Sequence, residues 1–154
     1  MISDTHGLLR PEAETALRGC HRILHAGDIG SREVLDRLAA IAPVSAVRGN
    51  VDLEPWAMEL PIRARVGIGG KSFLILHDRK ALRPADLAAG IDVVVSGHSH
   101  VPRIETLRGV LFVNPGSAGP RRFRLPVSMV LLEITANEVK AELIELLPAG
   151  GASA

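Results

Sequence analysis

The first half of the chain alternates short apolar runs with segments of helical periodicity. Apolar residues recur at helical spacing over 34–41, where Ser31 is placed to cap the helix, and Pro11 opens an earlier helical segment. The segments 22–25 and 44–47 are short, largely apolar runs typical of buried strands. This alternation of strand and helix predicts a sheet with helices packed against it.

The second half of the chain is a series of paired apolar runs joined by turn residues. Alternating apolar positions over 60–68 lead to two glycines and then to the run 73–76, a pattern typical of a β-hairpin. A short helix is predicted over 84–89, before a strand at 92–96. Two further hairpins are predicted, 104–107 with 110–113 and 127–134 with 139–147. The repeated hairpins predict a second, largely antiparallel sheet.

Length and the absence of a long linker predict one domain. A chain of 154 residues fits a single domain as a soft prior, and no repeat divides it. We therefore expect one domain over residues 1–147 and a flexible tail over 148–154, where Pro and Gly accumulate. Only Met1 and Ile2 precede the polar Ser3, which indicates either a short edge strand or a misplaced start site.

Polar side chains of the ligand type follow the predicted strands at the points where those strands end, each in a short loop that carries glycine. In an open α/β sheet, the loops beyond the carboxyl ends of the strands meet in one crevice, where ligands bind. Seven such side chains should therefore converge: Asp4, His6, Asp28, Asn50, His77, His98 and His100.

The chemistry of these seven side chains predicts a pair of metal ions. Three Asp or Asn oxygens and four His nitrogens exceed what one tetrahedral zinc needs, and they suit two borderline divalent ions. Asp28, central in chain order, is the natural bridging carboxylate. In an extended segment residues i and i+2 point the same way, so His98 and His100 should grip one site together.

The alternative interpretation is that each residue acts alone, as a cap, a turn residue or a satisfied core histidine. Four of the six histidines, however, come directly after predicted strands and beside glycines, which favours a shared metal site. His21 and His25 lie before or within the second strand, so packing or a supporting hydrogen bond is expected for them instead.

Composition narrows the class of partner. Aromatic residues make up only 3% of the chain, so platforms for base stacking are scarce and single-stranded nucleic acid is disfavoured as a ligand. A net charge of +1 gives no general attraction to DNA or to an anionic membrane. The lone Cys20 excludes an internal disulfide and a thiol zinc cluster, and no apolar run approaches the roughly 20 residues of a membrane-spanning helix. We expect a soluble, cytoplasmic protein with a small-molecule partner, and the oligomeric state stays open.

Five short motifs, in this order, resemble those of the calcineurin-like metallophosphoesterases. They are Asp4-Thr5-His6, Gly27-Asp28, Gly49-Asn50-Val51-Asp52, His77 and Gly97-His98-Ser99-His100. The short length and the Asn-Pro-Gly-Ser sequence at 114–117 are similar to the small prokaryotic phosphodiesterase branch, which is related to the retromer subunit of the same fold. The resemblance spans nearly the whole chain and implies an α/β fold, a four-layer α/β/β/α sandwich of two mixed sheets.

The resemblance also implies a ligand set for each ion. It assigns the first ion to Asp4, His6, Asp28 and His100, and the second to Asp28, Asn50, His77 and His98. The expected ion is Mn²⁺, with Ni²⁺, Fe²⁺ or Zn²⁺ as alternatives. The residues expected to carry catalysis are Asp28, Asn50, His98 and His100. Supporting positions, or ordinary turn hydrogen bonds, are expected at Ser3, Ser99, Asn114 and Ser117.

Two departures from the family pattern bear on the substrate. Many relatives carry a His after Gly-Asn that protonates or binds the leaving oxygen, and this chain has Val51 there. Without that His, Asp52 or His100 are the remaining candidate donors, and monoesters are disfavoured as substrates. The second departure is Asp78, which follows His77 where many relatives read His-Gly-His.

The resulting hypothesis is a dinuclear metal-dependent phosphodiesterase that hydrolyses small phosphodiesters through a metal-bridging hydroxide. Within enzymes, the alternative is a broad or mono-specific phosphatase. In another class, the alternative is a non-catalytic interaction scaffold like the retromer subunit. A nucleic-acid module would rest only on the Arg-Arg-Phe-Arg run at 121–124, which is either a solvated loop or a contact for substrate phosphate.

Overall fold

The computed structural model describes residues 1–147 and shows an α/β protein. The predicted tail over 148–154 lies outside the described residues. A short 3₁₀ helix spans Arg79–Ala81. The other elements, in chain order, are α1 (Pro11–Leu17), β1 (Ile23–His25), α2 (Arg32–Ala39), β2 (Val44–Ala46), α3 (Pro55–Met58), β3 (Arg63–Ile68), β4 (Lys71–Leu76), α4 (Pro84–Ala88), β5 (Val93–Val95), β6 (Arg103–Leu107), β7 (Val110–Asn114), β8 (Val127–Ile134) and β9 (Val139–Leu147).

The N-terminal residues connect the first sheet to the last hairpin. Strands β1 and β2 are parallel, and Ile2 forms a parallel bridge with His25 on the other side of β1. The backbone of Met1 pairs in turn with Val130 of the β8–β9 hairpin. The last hairpin is therefore hydrogen bonded to the first sheet through residues 1–2 and does not join the five-stranded sheet.

The second sheet has the strand order β3-β4-β5-β7-β6 and is mixed. Strands β4, β5 and β7 run parallel in its centre, and β3 and β6 pair antiparallel at its two edges. The prediction of a largely antiparallel sheet was wrong, because α4 forms a crossover that returns the chain to place β5 parallel to β4. The carboxyl ends of the three central strands consequently lie at one edge of the sheet.

Three apolar clusters lie on the faces of the two sheets. The first packs Leu17 of α1 and Leu38 of α2 against Ile23 of the first sheet. The second lies between the sheets and includes Val47 and Val93, while the third packs the outer face of the second sheet against the segment around α4. The α/β fold with a central mixed sheet agrees with the fold class that the resemblance implied.

Two local features differ from the expectations. Ser31 occupies the N-cap position of α2, but its side chain makes no capping hydrogen bond within residues 1–147. Helix α3, a single turn opened by Pro55, was not predicted, because four residues are too few to show helical periodicity. Within the described part of the chain, no helix is both long and apolar enough to cross a membrane.

Candidate metal centre

The structure brings the seven predicted side chains to one edge of the two sheets. The loops that carry them follow the N-terminal residues, β1, β2, β4 and β5. Each of these loops follows the carboxyl end of a strand that pairs in parallel with a neighbour. Loops that are distant in sequence therefore meet at the same edge. The side chains form two groups that adjoin at Asp28.

The first group consists of Asp4, His6 and His100. The Oδ1 atom of Asp4 lies 3.2 Å from Nε2 of His100 and 3.9 Å from Nε2 of His6. The two imidazole Nε2 atoms are 3.5 Å apart, and Nε2 of His6 lies 3.9 Å from Oδ2 of Asp28. These atoms are close enough to share one ion.

The second group is built around His77. Its Nε2 atom lies 3.2 Å from Oδ2 of Asp28 and 3.1 Å from Oδ1 of Asn50. The Nδ1 atom of His98 lies 3.1 Å from the same Asn50 oxygen and 3.3 Å from Nε2 of His77. On the far side of the ring, Nδ1–H of His77 donates to the carbonyl of Ala26 at 2.8 Å. That hydrogen bond leaves the lone pair of a neutral ring on Nε2, facing the group.

The His98-x-His100 pair divides between the groups, so the expectation that it would grip one site was wrong. His98 faces Asn50, whereas His100 faces Asp4. The reason is the backbone: an extended segment points residues i and i+2 the same way, but both histidines have positive φ. Five of the seven candidate ligands adopt this left-handed conformation, namely Asp4, His6, Asp28, His98 and His100. Such residues are costly for a fold to retain and cluster at functional sites.

Two glycines let the loops approach one another closely. A Cβ atom on Gly49 would overlap Oδ1 of Asp28, and one on Gly97 would overlap Oγ of Ser3. Any larger residue would therefore push apart the loops that carry the candidate ligands. In the sequence, glycine next to the motifs indicated only turns. The close approach of Gly49 to Asp28 and of Gly97 to Ser3 arises when the loops are packed together.

The first group contains a buried acceptor with no donor. The Oδ1 atom of Asp4 is buried and has no hydrogen-bond partner within residues 1–147. Its nearest polar neighbours are the Nε2 atoms described above, and in the neutral ring such an atom can be a lone-pair acceptor as well. A buried carboxylate oxygen without a partner is unfavourable, and a cation placed between these atoms removes the cost. The mixed O and N donors suit a borderline divalent ion.

The protonation equilibria of Asp28 and His6 favour the forms of these side chains that bind a metal. Burial opposes ionisation of Asp28, but hydrogen bonds from His77 and from the Val51 N–H bring the pKa of Asp28 below its ordinary value. Burial lowers the pKa of His6, against the influence of the nearby carboxylates. Burial acts to lower the pKa of His77 too, but the hydrogen bond with Asp28, the charge of Asp28 and the hydrogen bond with Ala26 together outweigh burial, and the pKa is raised. Ionised Asp28 and neutral His6 are in the forms that bind metals, and Asp28 draws a cation to its side.

Asp52 is a functional candidate whose structural role the sequence did not reveal. Its buried carboxylate accepts from the N–H groups of Ile29 at 3.1 Å, Gly30 at 2.9 Å and Gly49 at 2.8 Å. It thereby ties the Asp28 loop to the Asn50 loop. Both oxygens are engaged as acceptors, which removes Asp52 as a candidate donor of a proton. Its spacing from Gly49 is the only sequence signal for this role.

Four supporting side chains hold the ligand loops. The hydroxyl of Ser3 donates to Oδ2 of Asp4 at 2.7 Å, and that of Ser117 donates to the Asp4 carbonyl at 2.9 Å. The amide of Asn114 donates to the carbonyl of Gly97 at 2.8 Å and to Oγ of Ser99 at 3.0 Å. These bonds fix the backbone on either side of Asp4 and His98.

The remaining two histidines stand apart from both groups. In His25, Nδ1 accepts from the Gly27 N–H at 3.1 Å, and Nε2–H donates to Oγ1 of Thr5 at 2.9 Å. Thr5 donates onward to the carbonyl of Ile29 at 2.9 Å. His25 thus connects the Asp4 loop to the Asp28 loop through buried hydrogen bonds, whereas His21 is exposed.

Known proteins resemble this chain in both sequence and fold. A sequence profile of the calcineurin-like phosphoesterase superfamily domain matches residues 1–137. A probable metallophosphoesterase of Methanothermobacter thermautotrophicus is 36% identical, over 94% of this chain and 90% of the relative. Among solved structures, Vps29 of Chaetomium thermophilum matches 96% of this chain and 95% of its own with a TM-score of 0.76 at 21% identity. An archaeal protein described as a phosphodiesterase matches 93% of this chain and 97% of its own, with a TM-score of 0.69 at 24% identity.

Proposed function

The chain belongs to the calcineurin-like phosphoesterase superfamily, and from that premise we propose that it is a dinuclear metal-dependent phosphodiesterase acting on small phosphodiesters. Family membership itself gives the general activity, which is metal-dependent hydrolysis of a phosphate ester. The number of ions, the ligand assignment and the preference for diesters are the proposal.

The observation that carries the proposal is the convergence of acceptor atoms on both sides of Asp28. One Asp28 oxygen lies 3.2 Å from His77 in one group and 3.9 Å from His6 in the other. In the proposed assignment Asp4, His6 and His100 hold one ion, and Asn50, His77 and His98 hold the second, with Asp28 shared. We propose Mn²⁺ as the ion, with Ni²⁺, Fe²⁺ or Zn²⁺ as alternatives, because the order of affinities alone does not decide which ion a site holds in a cell.

When bound, two divalent ions supply an activated water and stabilise the charge that develops on the phosphoryl group. The chain's own residues orient that chemistry. His77 is held by Ala26, the Asp4 carboxylate by Ser3, and the Asp28 carboxylate by the Val51 N–H at 3.1 Å. Side chains fixed in this way keep their donor atoms in place without reorganisation during the reaction.

The preference for diesters rests on Val51. It stands next to Asn50 with 46% of its surface exposed, and it offers neither a proton nor a side-chain hydrogen bond. A diester with a good leaving group needs little help at the departing oxygen, whereas an alkyl monoester needs a donor. A phosphatase with broad specificity is the alternative that this position disfavours.

The structural likeness to Vps29, with a TM-score of 0.76, favours one other candidate, an interaction scaffold. Hydrolysis, and not metal content alone, separates the two candidates.

The test is metal-dependent hydrolysis of bis-p-nitrophenyl phosphate. We expect chelation to abolish turnover and Mn²⁺ to restore it, because no side chain here makes hydroxide near neutral pH without an ion. The change Asp28→Asn should lower kcat/KM by at least about 100-fold and reduce the metal content, since the shared ligand serves both ions. Asp36→Asn, on the exposed side of α2, is the matched control. Full activity after metal removal, or of Asp28→Asn, would overturn the proposal.

A further inference from the structure

The segment that precedes the run of arginines is docked on the Asp4–His6 loop. The N–H of Ala118 donates to the Ser3 carbonyl at 3.0 Å, and Arg10 Nε donates to the Gly119 carbonyl at 2.9 Å. Gly119 packs so tightly on the carbonyl of Thr5 that a Cβ atom there would overlap it. Residues 120–125, here called the arginine loop, therefore begin next to the loop that carries Asp4 and His6, at the edge of the candidate metal centre.

The arginine loop brings positive charge to the edge of the candidate metal centre. Arg122 is exposed, and it follows by three residues Gly119, which packs on the backbone of Thr5 next to His6. Within residues 1–147, neither Arg122 nor Arg124 has a carboxylate within ion-pair distance. A guanidinium without an anion, beside a phosphoesterase centre, is suited to a phosphate oxygen.

The next residue exposes an aromatic ring. The chain has three phenylalanines, and Phe73 and Phe112 are buried, but Phe123 is 92% exposed. Phe123 also has a positive φ of 53°, a conformation that a bulky residue rarely adopts. An exposed ring in a costly backbone conformation, four residues after the docked Gly119, is a candidate contact for a ligand.

Exposed apolar side chains stand in the neighbouring loops too. Leu8, Val51 and Val101 are 40%, 46% and 47% exposed, and each lies within two residues of a candidate metal ligand. The surroundings of the centre thus combine an exposed guanidinium, that of Arg122, with exposed apolar side chains. A free phosphate would use only the cation, whereas an ester with an apolar group would use both.

We propose that the arginine loop binds the substrate, with Arg122 pairing with a non-bridging phosphate oxygen and Phe123 stacking on a flat ring of the ester group that is retained. The preferred substrates are accordingly phosphodiesters with an aromatic or nucleoside ester group. This inference rests on the proposed function, since it names the substrate class of the same site. No bond is made or broken by either residue.

The experiment compares two diesters that share a leaving group. Thymidine 5′-(p-nitrophenyl) phosphate and methyl p-nitrophenyl phosphate both release p-nitrophenolate, so their difference reports on the retained group. The Mn²⁺-loaded protein should prefer the thymidine diester by about ten-fold in kcat/KM, a factor typical of one base on an aromatic side chain. In Phe123→Ala the ratio of the two kcat/KM values should fall to near one.

Arg122 should affect both diesters alike. Arg122→Gln should raise KM for each diester by about ten-fold or more. The KM values of Arg122→Lys should lie between those of the wild-type protein and Arg122→Gln, because lysine keeps the charge but lacks the planar guanidinium. Arg108→Gln is the matched control: Arg108 also has positive φ, but it lies in the β6–β7 turn, at the opposite end of β7 from Asn114. Melting temperatures of all variants verify that the fold is retained.

The outcomes separate the two proposals. If the wild-type protein hydrolyses neither diester, the proposed function is overturned and this inference falls with it. If hydrolysis is metal-dependent but Arg122→Gln behaves like Arg108→Gln, or Phe123→Ala keeps the wild-type ratio, only the role of the arginine loop is overturned. A ratio near one in the wild-type protein likewise contradicts the proposed substrate class.

Discussion

Val51 is the residue whose replacement most directly tests the chemistry of the leaving group. Its backbone N–H supports Asp28 while its side chain is 46% exposed, so the side chain can be changed with little effect on the fold. Val51→His should raise kcat/KM for an alkyl monoester by about 10²- to 10⁴-fold, the range of a positioned general acid, and change activated diesters little. Steady-state assays of both substrates at one metal loading measure the effect.

The control for Val51→His is a histidine placed nearby. Leu53 is 73% exposed and lies two residues farther along the same loop, so Leu53→His adds the same ring farther from Asn50. Equal gains for monoester and diester in Val51→His, or the same gain in Leu53→His, would contradict the account of Val51.

His25 makes the stability of the protein depend on pH. Burial disfavours the charged ring and lowers the pKa of His25 from 6.5 to about 4. Between these pH values the unfolded chain binds a proton that the folded chain does not, so the free energy of unfolding decreases as pH falls from 6.5 to 4. The whole shift corresponds to about 3 kcal/mol.

The variant His25→Gln should therefore be less stable than the wild-type protein at pH 8 and less sensitive to pH between 6.5 and 4. Urea unfolding at a series of pH values, with a chelator present throughout, gives the slope. His21→Gln, which alters an exposed ring, should keep the wild-type dependence. A His25→Gln variant with that same dependence would rule out this account of acid sensitivity.

At the scale of elements, the loops after β1 and β2 act as one unit. Asp52 accepts hydrogen bonds from both loops, and Gly49 lies against Asp28 without room for a Cβ atom. The position of Asp28 thus depends on packing between two loops, and not on its own turn alone.

Gly49→Ala should accordingly displace Asp28 and weaken metal binding by about 10- to 100-fold, the cost typical of disturbing the groups that orient a ligand. Titration of the metal-free variant with Mn²⁺ by calorimetry measures the affinity. Gly67→Ala in β3, where a Cβ atom meets nothing within 4 Å, is the matched control and should bind as the wild type does. Equal affinities in the two variants would show that the close approach of the loops is unimportant.

The strands themselves were largely predictable, because hairpins are local. Strands β8 and β9 have the predicted bounds, and the pairs β3–β4 and β6–β7 flank the predicted turns. The assignment of hairpins to sheets was not predictable in this way. Whether β8–β9 joins the first or the second sheet depends on Met1 and Val130, which are far apart in sequence.

For the whole molecule, the proposed metal ions should stabilise the fold. Five loops contribute ligands, so ions that bind only the folded chain shift the unfolding equilibrium. At a concentration 100 times the dissociation constant, one site adds about 2.7 kcal/mol, which corresponds to a rise of roughly 5–10 °C in Tm for a chain of this size.

Calorimetric melting with a chelator and with excess Mn²⁺ measures this rise. Asp28→Asn should lose most of it, and Asp36→Asn should keep it. A Tm that does not respond to Mn²⁺ in the wild-type protein would mean that the centre does not hold this ion when folded.

The sequence by itself determined which residues meet and what chemistry they share. Asp28, Asn50 and His77 are recognisable because each follows a strand, and strand ends in a parallel arrangement are brought together by backbone geometry that any such sheet has. The types of side chain then indicate a metal, whatever the details of packing.

Only the tertiary structure decided how those residues are divided and held. Left-handed backbone at His98 and His100 sends them to different groups, and a non-glycine residue adopts that conformation only where the surrounding fold enforces it. The hydrogen bonds of Asp52, and the packing of Gly119 on Thr5, likewise join segments distant along the chain. Contacts of this kind depend on three-dimensional packing, which local pattern and spacing do not encode.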